Sequence, residues 1–334
     1  ALDRASQAFA ERRVRSHRAG GLIARHTWLA TAIIVSLATL ALGQVLPAIQ
    51  TYPDALKITT GQFWSSAMEW INVNFFDTFE AIKTVALQYL LLPVKKFFAG
   101  IPWLWGIIAT GLIAWRVAGW RLGLLAALMM AFIAASGLWP KAMVTIYLCG
   151  VSVFVAVLIG IPLGIWAAER PKAGRVILGL MDTLQTLPSF VYLIPVVMLF
   201  RVGDFSAMVA VILYALAPAV RYAAHGVREV PAQLVEAGRM AGCTPRQLMW
   251  RVKLPLATPQ LLLGLNQTIM LALSMLVITA LVGTRDLGQE VYIALTKANA
   301  GQGIVAGLSV AFIAIVADRI VNALSESQRQ RLGL

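Results

Sequence analysis

Charged residues are scarce in this chain of 334 residues, and cysteine and histidine are scarcer still. Charged side chains make up 13% of the sequence and hydrophobic ones 59%, whereas soluble domains have roughly 25% and about 45–50%. The mean hydropathy is +0.77. This balance excludes an ordinary soluble domain and indicates an integral membrane protein. The apolar runs are too long and too numerous for a targeting peptide, so we interpret them as membrane spans.

The few cysteines and histidines exclude several kinds of site. Cys149 lies in an apolar run and Cys243 in a polar stretch, so we expect neither a disulfide nor a thiol metal site. The three histidines, His17, His26 and His225, do not cluster. Only His225 has a carboxylate three or four residues away, that of Glu229, and one such pair supplies too few ligands for a metal site. We therefore expect no metal site and no catalytic residue in this chain.

Three further motifs are missing. The phosphate-binding loop G-x-x-x-x-G-K-[ST] does not occur, so this chain is not expected to bind ATP. No selectivity-filter loop or ring of charges is recognisable, which argues against a channel. The net charge of +13 does not indicate nucleic acid as a partner, because the basic residues lie between apolar runs without a nucleic-acid motif.

The apolar runs predict an all-α protein with about eight transmembrane helices, since roughly 20 apolar residues span a bilayer. The run at 101–115 is the shortest. The predicted spans are residues 28–46, 101–115, 122–138, 142–167, 176–200, 207–224, 258–282 and 304–324.

The basic residues predict the orientation of these spans, because Lys and Arg are enriched on the cytoplasmic side. Most of the 28 basic residues fall on the side that holds both termini when the spans number eight. We therefore predict a cytoplasmic basic segment at 1–26, a cytoplasmic tail at 326–334 and a cytoplasmic loop at 225–256.

The opposite side has one large feature, residues 47–100. Within residues 69–92, apolar side chains such as Ile71 and Phe75 recur on one helical face, with polar ones on the other. This pattern predicts an amphipathic helix in the membrane interface, ended by Pro93. A ninth span is the alternative, and the charged residues argue against it; these are Glu69, Asp77, Glu80 and Lys83.

The loop from Glu236 to Pro255 reads EAGRMAGCTPRQLMWRVKLP. A helix is predicted to start at Pro231 and to end at Gly242, with small residues on its surface. Thr244 is predicted to cap a second helix that has Pro245 in its first position and ends near Pro255. The loop is thus a predicted helix–turn–helix hairpin that another protein can approach closely.

The spacing of this loop resembles the E-A-A, three residues, G, nine residues, I-x-L-P pattern of ABC importer permeases. Gly238 replaces the second alanine of that pattern and Val252 the isoleucine. The resemblance implies a type I ABC importer permease fold and a helix that docks on a separate ATPase. The implied coupling residues are Glu236, Ala237, Gly238, Gly242, Val252, Leu254 and Pro255. An ordinary connector, whose small residues pack on the chain's own helices, is the alternative.

Three further segments, DTLQTLPSFVY at 182–192, LNQT at 265–268 and LVGTRDLG at 281–288, look like the glycine betaine/proline betaine permeases. The resemblance covers a permease core at 140–325, preceded by N-terminal spans at 27–139. It implies the permease subunit of an importer for a small quaternary or methylated amine, such as glycine betaine, proline betaine, trimethylamine N-oxide or choline. An amino acid or another small metabolite is the alternative cargo, and an ATP-independent channel is the alternative of a different class.

The same resemblance implies a set of partners in a bacterial inner membrane. These are a second copy of the permease, a cytoplasmic ATPase that binds ATP and Mg, and an extracytoplasmic binding protein. No cofactor is implied for this chain itself.

Polar groups within the apolar runs are the candidate lining of a translocation pathway. The polar side chains are Asp182, Gln185, Thr186, Ser189, Asn266 and Ser274. Pro188, which leaves backbone carbonyl groups available, and the soft side chain of Met270 complete the set. For Asp182 a structural ion pair with Arg239 or Arg221 is the favoured alternative, and for the others it is hydrogen bonding between helices.

Overall fold

The computed structural model describes residues 27–45, 57 and 59–332, and these form helices joined by short connections. The chain divides into two compact units, Ala1–Ser66 and Ala67–Leu334. The predicted basic segment at 1–26 lies outside the described residues. In the first unit, helix α1 covers Thr27–Val45 and overlaps all but the last residue of the predicted span at 28–46.

The second unit contains the remaining helices and most of α2, which begins at Gly61. Their bounds are α2 Gly61–Ala86, α3 Leu92–Ala99, α4 Trp103–Ala118, α5 Trp120–Ala135, α6 Trp139–Glu169, α7 Pro171–Thr186, α8 Ser189–Phe200, α9 Asp204–Arg228, α10 Ala232–Met240, α11 Pro245–Leu248, α12 Leu254–Thr279, α13 Leu287–Thr296 and α14 Ala300–Leu332. Two π-helical turns interrupt them, Leu87–Leu91 between α2 and α3 and Met249–Lys253 between α11 and α12.

Four stretches of the described chain are long and apolar enough to cross a membrane, namely α6, α9, α14 and the continuous Pro245–Val282. They contain the predicted spans at 142–167, 207–224, 304–324 and 258–282. Two bent helix pairs raise the number to six if each pair is one span. The apolar helices in α1 and α5 are shorter.

The prediction of one continuous helix at 176–200 is wrong, although the two helices found there pass together as one bent span. Helices α7 and α8 replace it, and the pair is bent by 99°. Leu187, the residue before Pro188, has φ −70° and ψ 136°. A proline disfavours the helical conformation at the residue before it, because the proline ring clashes with that residue. Hydropathy does not depend on backbone conformation, so residues 176–200 form one apolar run in the sequence.

The predicted helix end at Pro93 is also wrong. Helix α2 continues through the π turn into α3, and Pro93 lies in the first turn of α3. Proline is tolerated there because first-turn N–H groups have no intrahelical partner. Whether this helix lies in the interface, as the sequence predicts, remains a prediction.

Helix α9 is the centre of the second unit, with α6 and α12 packed along it. Glycines of α6 make the close approach feasible. A Cβ atom added at Gly164 would lie 2.5 Å from the carbonyl oxygen of Val220 and 2.6 Å from Cβ of Ala223. Small residues at helix contacts are typical of membrane proteins, where dispersion contacts between close backbones stabilise the bundle.

Helix α13 is fastened to α6 and α14 by polar contacts at the end of the bundle opposite α10. The Leu287 N–H donates to Thr145 Oγ1 at 3.0 Å. Glu290 forms an ion pair with Lys141 and accepts from Gln302 Nε2 at 2.6 Å. The hydrogen bond from Lys141 is the main cause that lowers the pKa of Glu290.

Asp286, the N-cap of α13, is fully buried and lies between the apolar stretches Pro245–Val282 and Ala300–Leu332. Burial raises the pKa of its carboxyl group from 3.8 to about 6, opposed by hydrogen bonds that include those from Gln289 and Thr284. The folded state therefore binds this proton more tightly than the unfolded state does. Its contribution to stability is fully present below about pH 4 and is lost as the pH rises to about 6.

We expect Asp286→Asn to remove this component of the pH dependence. The stability of the wild type in detergent should fall by at most about 3 kcal/mol between pH 4 and pH 7, and the melting temperature should fall with it. In the variant this fall should shrink, because asparagine does not titrate. Asp77→Asn at an exposed position is the matched control, and an equal fall in both variants would refute the assignment.

Candidate coupling loop and translocation face

The coupling loop, defined here as residues 231–255, starts with α10 and a tight turn. Pro231 is the N-cap of α10, as predicted. Gly242 follows the helix with φ +80°, and the Cys243 N–H donates to the Gly238 carbonyl oxygen at 3.1 Å. This is a glycine helix terminator, because glycine takes a left-handed conformation without a steric penalty.

The second arm of the loop begins as the sequence predicts. The Gln247 N–H donates to Thr244 Oγ1 at 3.3 Å, and the Thr244 N–H donates to Gln247 Oε1 at 2.9 Å. Each residue thus satisfies an N–H group that the helix leaves free, which is a capping box. The predicted end near Pro255 is wrong, because the chain continues through the π turn Met249–Lys253 into α12 with Pro255 in its first turn.

The loop presents a mixed apolar and charged surface. Glu236, Ala237 and Gly242 are exposed. Three large apolar side chains are exposed beside them, Leu234, Met240 and Trp250, at 43%, 90% and 65%. Gly238 is different, since a Cβ atom there would lie 2.7 Å from Leu248 Cδ1. At this position the small residue packs on the chain's own second arm, as in the connector alternative.

The root of the loop is tied to the end of α6. Lys253 Nζ lies 2.5 Å from Glu169 Oε1. Arg228 Nη2 donates to the Ala167 carbonyl oxygen at 2.7 Å. A groove of about 320 Å³ lies between these tethers and the exposed Glu236. These two contacts hold the ends of the coupling loop to α6, whereas α10 itself has no buried residue.

The predicted pathway residues of α7 and α8 lie on an exposed face. Gln185, Thr186 and Pro188 are exposed, and Ser189 is half-buried. Asp182 forms an ion pair with Arg221 of α9, which is the favoured alternative in the prediction. Thr186 bonds only to its own helix, and no hydrogen bond links the exposed side chain of Gln185 or that of Ser189 to another described residue.

The predicted pathway residues of α12 divide between two faces. Ser274 is exposed and donates to the Met270 carbonyl oxygen at 3.0 Å, with Met270 half-buried. Asn266 is buried and donates to Asp318 Oδ1 of α14 at 2.7 Å. This is the interhelical bond that the prediction kept as its alternative. A pathway role for these residues remains a prediction.

Comparison with known proteins gives the family. Residues 160–330 match the family described as binding-protein-dependent transport system inner membrane component. The chain is 38% identical over 267 residues to the glycine betaine/proline betaine transport system permease protein ProW of Escherichia coli, covering 80% of this chain and 75% of that protein. The chain belongs to this family. It is the inner-membrane permease component of an ABC transporter, as predicted.

Two further comparisons bear on the permease. It is 38% identical over 283 residues to the trimethylamine N-oxide transport system permease protein TmoV of Pelagibacter ubique, covering 84% of this chain and 40% of that protein. A chain of the MetNI methionine ABC transporter in an inward-facing conformation has a TM-score of 0.53 at 22% identity, covering 60% of this chain and 97% of that chain. This likeness shows the fold alone, and it confirms the predicted type I permease fold.

Sequence reasoning missed several polar residues of the permease. Asp318 and Asn322 lie in an apolar helix and bond to each other at 2.8 Å and to Asn266. The rule that singled out Asp182, an acid within an apolar run, would have found Asp318. Glu169 had no such signal, because it lies at a helix end and its partner Lys253 is 84 residues away.

Proposed function

We propose that this permease moves a small quaternary or methylated amine into the cytoplasm, driven by ATP hydrolysis on a separate subunit. The observation that carries the proposal is the similarity, at 38% identity, to permeases named for glycine betaine/proline betaine and for trimethylamine N-oxide. These cargoes share a methylated, polar nitrogen group. The cargo reaches the permease from an extracytoplasmic binding protein.

The coupling loop is the proposed docking site for the ATPase. Its exposed Leu234, Met240 and Trp250 are apolar surface that a partner can bury, and exposed apolar clusters rimmed by polar residues mark interaction sites. Glu236 contributes a charge for pairing with a basic or amide group of the ATPase. Gly238 and Leu254 shape the loop from within, and the remaining proposed coupling residues are Ala237, Gly242, Val252 and Pro255.

A second copy of the permease is the proposed cover for the exposed polar face. Gln185 of α7 and Ser274 of α12 are exposed within apolar segments, and polar side chains are costly against lipid. Facing a second copy across a hydrated passage removes this cost. The pathway residues Asp182, Thr186, Pro188, Ser189, Asn266 and Met270 then line or support the passage, and the loop and both termini lie in the cytoplasm.

Uptake of labelled glycine betaine by cells that express the permease with its ATPase and binding protein tests the cargo. We expect uptake that depends on all three proteins and that unlabelled trimethylamine N-oxide or choline reduces. Uptake of labelled proline or histidine, with no uptake of glycine betaine, would move the cargo to the amino-acid alternative. Uptake without the ATPase would favour a channel.

We expect Glu236→Lys to weaken retention of the ATPase. Reversing the charge places two like charges at a docking contact, and about tenfold weaker binding corresponds to about 1.4 kcal/mol. The measurement is the amount of ATPase that co-purifies with the permease in detergent at several salt concentrations. Glu326→Lys makes the same charge change at an exposed position of α14; retention equal to that control would remove Glu236 from the docking site.

A further inference from the structure

The π turn Met249–Lys253 lies on the covalent route from the docking surface to the pathway. On one side is α11, whose Leu248 contacts the coupling helix α10 at Gly238. On the other side is α12, which carries Ser274. The Leu254 N–H donates to the Met249 carbonyl oxygen, five residues back, where an α-helix would bond four residues back. A displacement of α10 that reaches α12 along the chain passes through this turn.

Proline permits such a turn without imposing it. Both π turns of the described chain end two residues before a proline, Pro93 or Pro255. A proline has no N–H and crowds the carbonyl oxygen four residues earlier, so the regular ladder fails there. Other prolines lie inside helices that keep the α register on both sides, and these are Pro162, Pro195, Pro218 and Pro259. The contacts around Pro255 therefore decide the register.

Two contacts hold the π turn Met249–Lys253 in place. Lys253, whose side chain is 17% exposed, pairs with Glu169 at the last residue of α6. On the docking side, Val252 lies beside Gly238 of α10. A Cβ atom built on Gly238 would lie 3.5 Å from Val252 Cγ2. One contact holds the turn to the body of the permease, and the other holds it to the helix that is proposed to move.

We propose that Glu169 and Lys253 are positioning residues for coupling. Their ion pair holds residues 249–253 in the π register, and displacement of α10 by the ATPase converts the turn to the α register. The conversion shifts α11 against α12 by one residue, or about 100° of rotation and about 1.5 Å of rise. This rests on the proposed function, because it needs an ATPase that moves α10. Such turns are frequent at functional sites.

The test compares coupling in the purified complex of permease, ATPase and binding protein. Glu169→Gln and Lys253→Gln each remove one charge with little change of shape, and Glu169→Lys with Lys253→Glu restores the pair in reverse. We expect each single variant to lower the cargo moved per ATP hydrolysed about twofold to fivefold, the scale of a lost, partly exposed ion pair. The reversed pair should recover most of the ratio, which a merely structural loss would not predict. Lys172→Gln, at an exposed position of α7, is the control.

A reversible cross-link tests the change of register directly. Glu169→Cys and Lys253→Cys are combined in a permease whose Cys149 and Cys243 are replaced, and a short bis-methanethiosulfonate joins the two thiols. We expect the linked complex to stop hydrolysing ATP and a reductant to restore hydrolysis, with neither single cysteine showing the effect. ATP hydrolysis at the full rate by the linked complex would overturn the proposal. Failure of either single Gln variant to assemble with the ATPase would overturn it as well.

The wild-type complex separates the two possible failures. If it hydrolyses ATP but moves no amine, the proposed function is wrong and the inference falls with it. If the wild type couples and both Gln variants couple equally well, the proposed function stands and only the role of Glu169 and Lys253 is refuted.

Discussion

Replacing Gly242 by aspartate is expected to leave a folded permease that no longer transports. Gly242 has φ +80°, and a Cβ atom there would meet no other atom within 4 Å. The new side chain would therefore project from the turn beside α10 instead of disturbing the core. A carboxylate there adds negative charge to a docking surface that already carries Glu236. We expect uptake below about a tenth of the wild type, corresponding to more than about 1.4 kcal/mol of lost docking energy.

Gly242→Asn separates the charge from the backbone conformation. Asparagine has the shape of aspartate and, like it, adopts left-handed conformations more readily than other residues. We expect this variant to keep most of the uptake, measured per permease in the membrane. Equal loss in both variants would assign the effect to the turn geometry, and normal uptake by Gly242→Asp would refute the docking role of the turn.

Replacing Gly164 by valine is expected to prevent correct folding. A Cβ atom there would lie 2.5 Å from the Val220 carbonyl oxygen, 2.6 Å from Ala223 Cβ and 3.0 Å from the Ala224 nitrogen. Two of these are backbone atoms of α9, which a side-chain rotation cannot move. The helices must separate, and overpacking of this kind costs about 1–3 kcal/mol or more. We expect the monodisperse size-exclusion peak in detergent to be lost.

Gly150→Val is the matched control for that prediction. Gly150 lies in the same helix, and a Cβ atom there would meet no other atom within 4 Å. Both variants lose a glycine and gain a β-branched side chain, so they differ chiefly in contact with α9. Equal thermal midpoints for the two variants would show that close packing of α6 on α9 does not limit stability.

Local chemistry made much of the fold predictable. Hydropathy located the apolar helices, since each must hide its backbone polar groups from lipid. Thr244 and Gly242 marked a cap and a terminator because their roles depend on neighbours within a few residues. Proline was harder to interpret. It interrupts the helix at Pro188, whereas Pro93 and Pro255 lie in the first turn of a helix. Whether the preceding residue is helical decides between these outcomes, and that depends on packing.

The parts of the candidate site that depend on sequence spacing were predictable. The parts that depend on which neighbour a helical side chain faces were not. The spacing from Glu236 to Pro255 identified the loop. Neighbouring positions on a helix differ by about 100°, so a sequence does not tell whether Asn266 faces a passage or α14. The pair between Lys253 and Glu169 joins elements 84 residues apart, and only the packing of α6 beside the loop brings them together.

The most direct test of this account is accumulation of glycine betaine by proteoliposomes that contain the permease with its ATPase and binding protein. One preparation carries an active ATPase, and the other carries an ATPase that binds ATP without hydrolysing it. The account predicts accumulation above the outside concentration in the first preparation and none in the second. Equal movement of glycine betaine in both, or equilibration without accumulation, would contradict it.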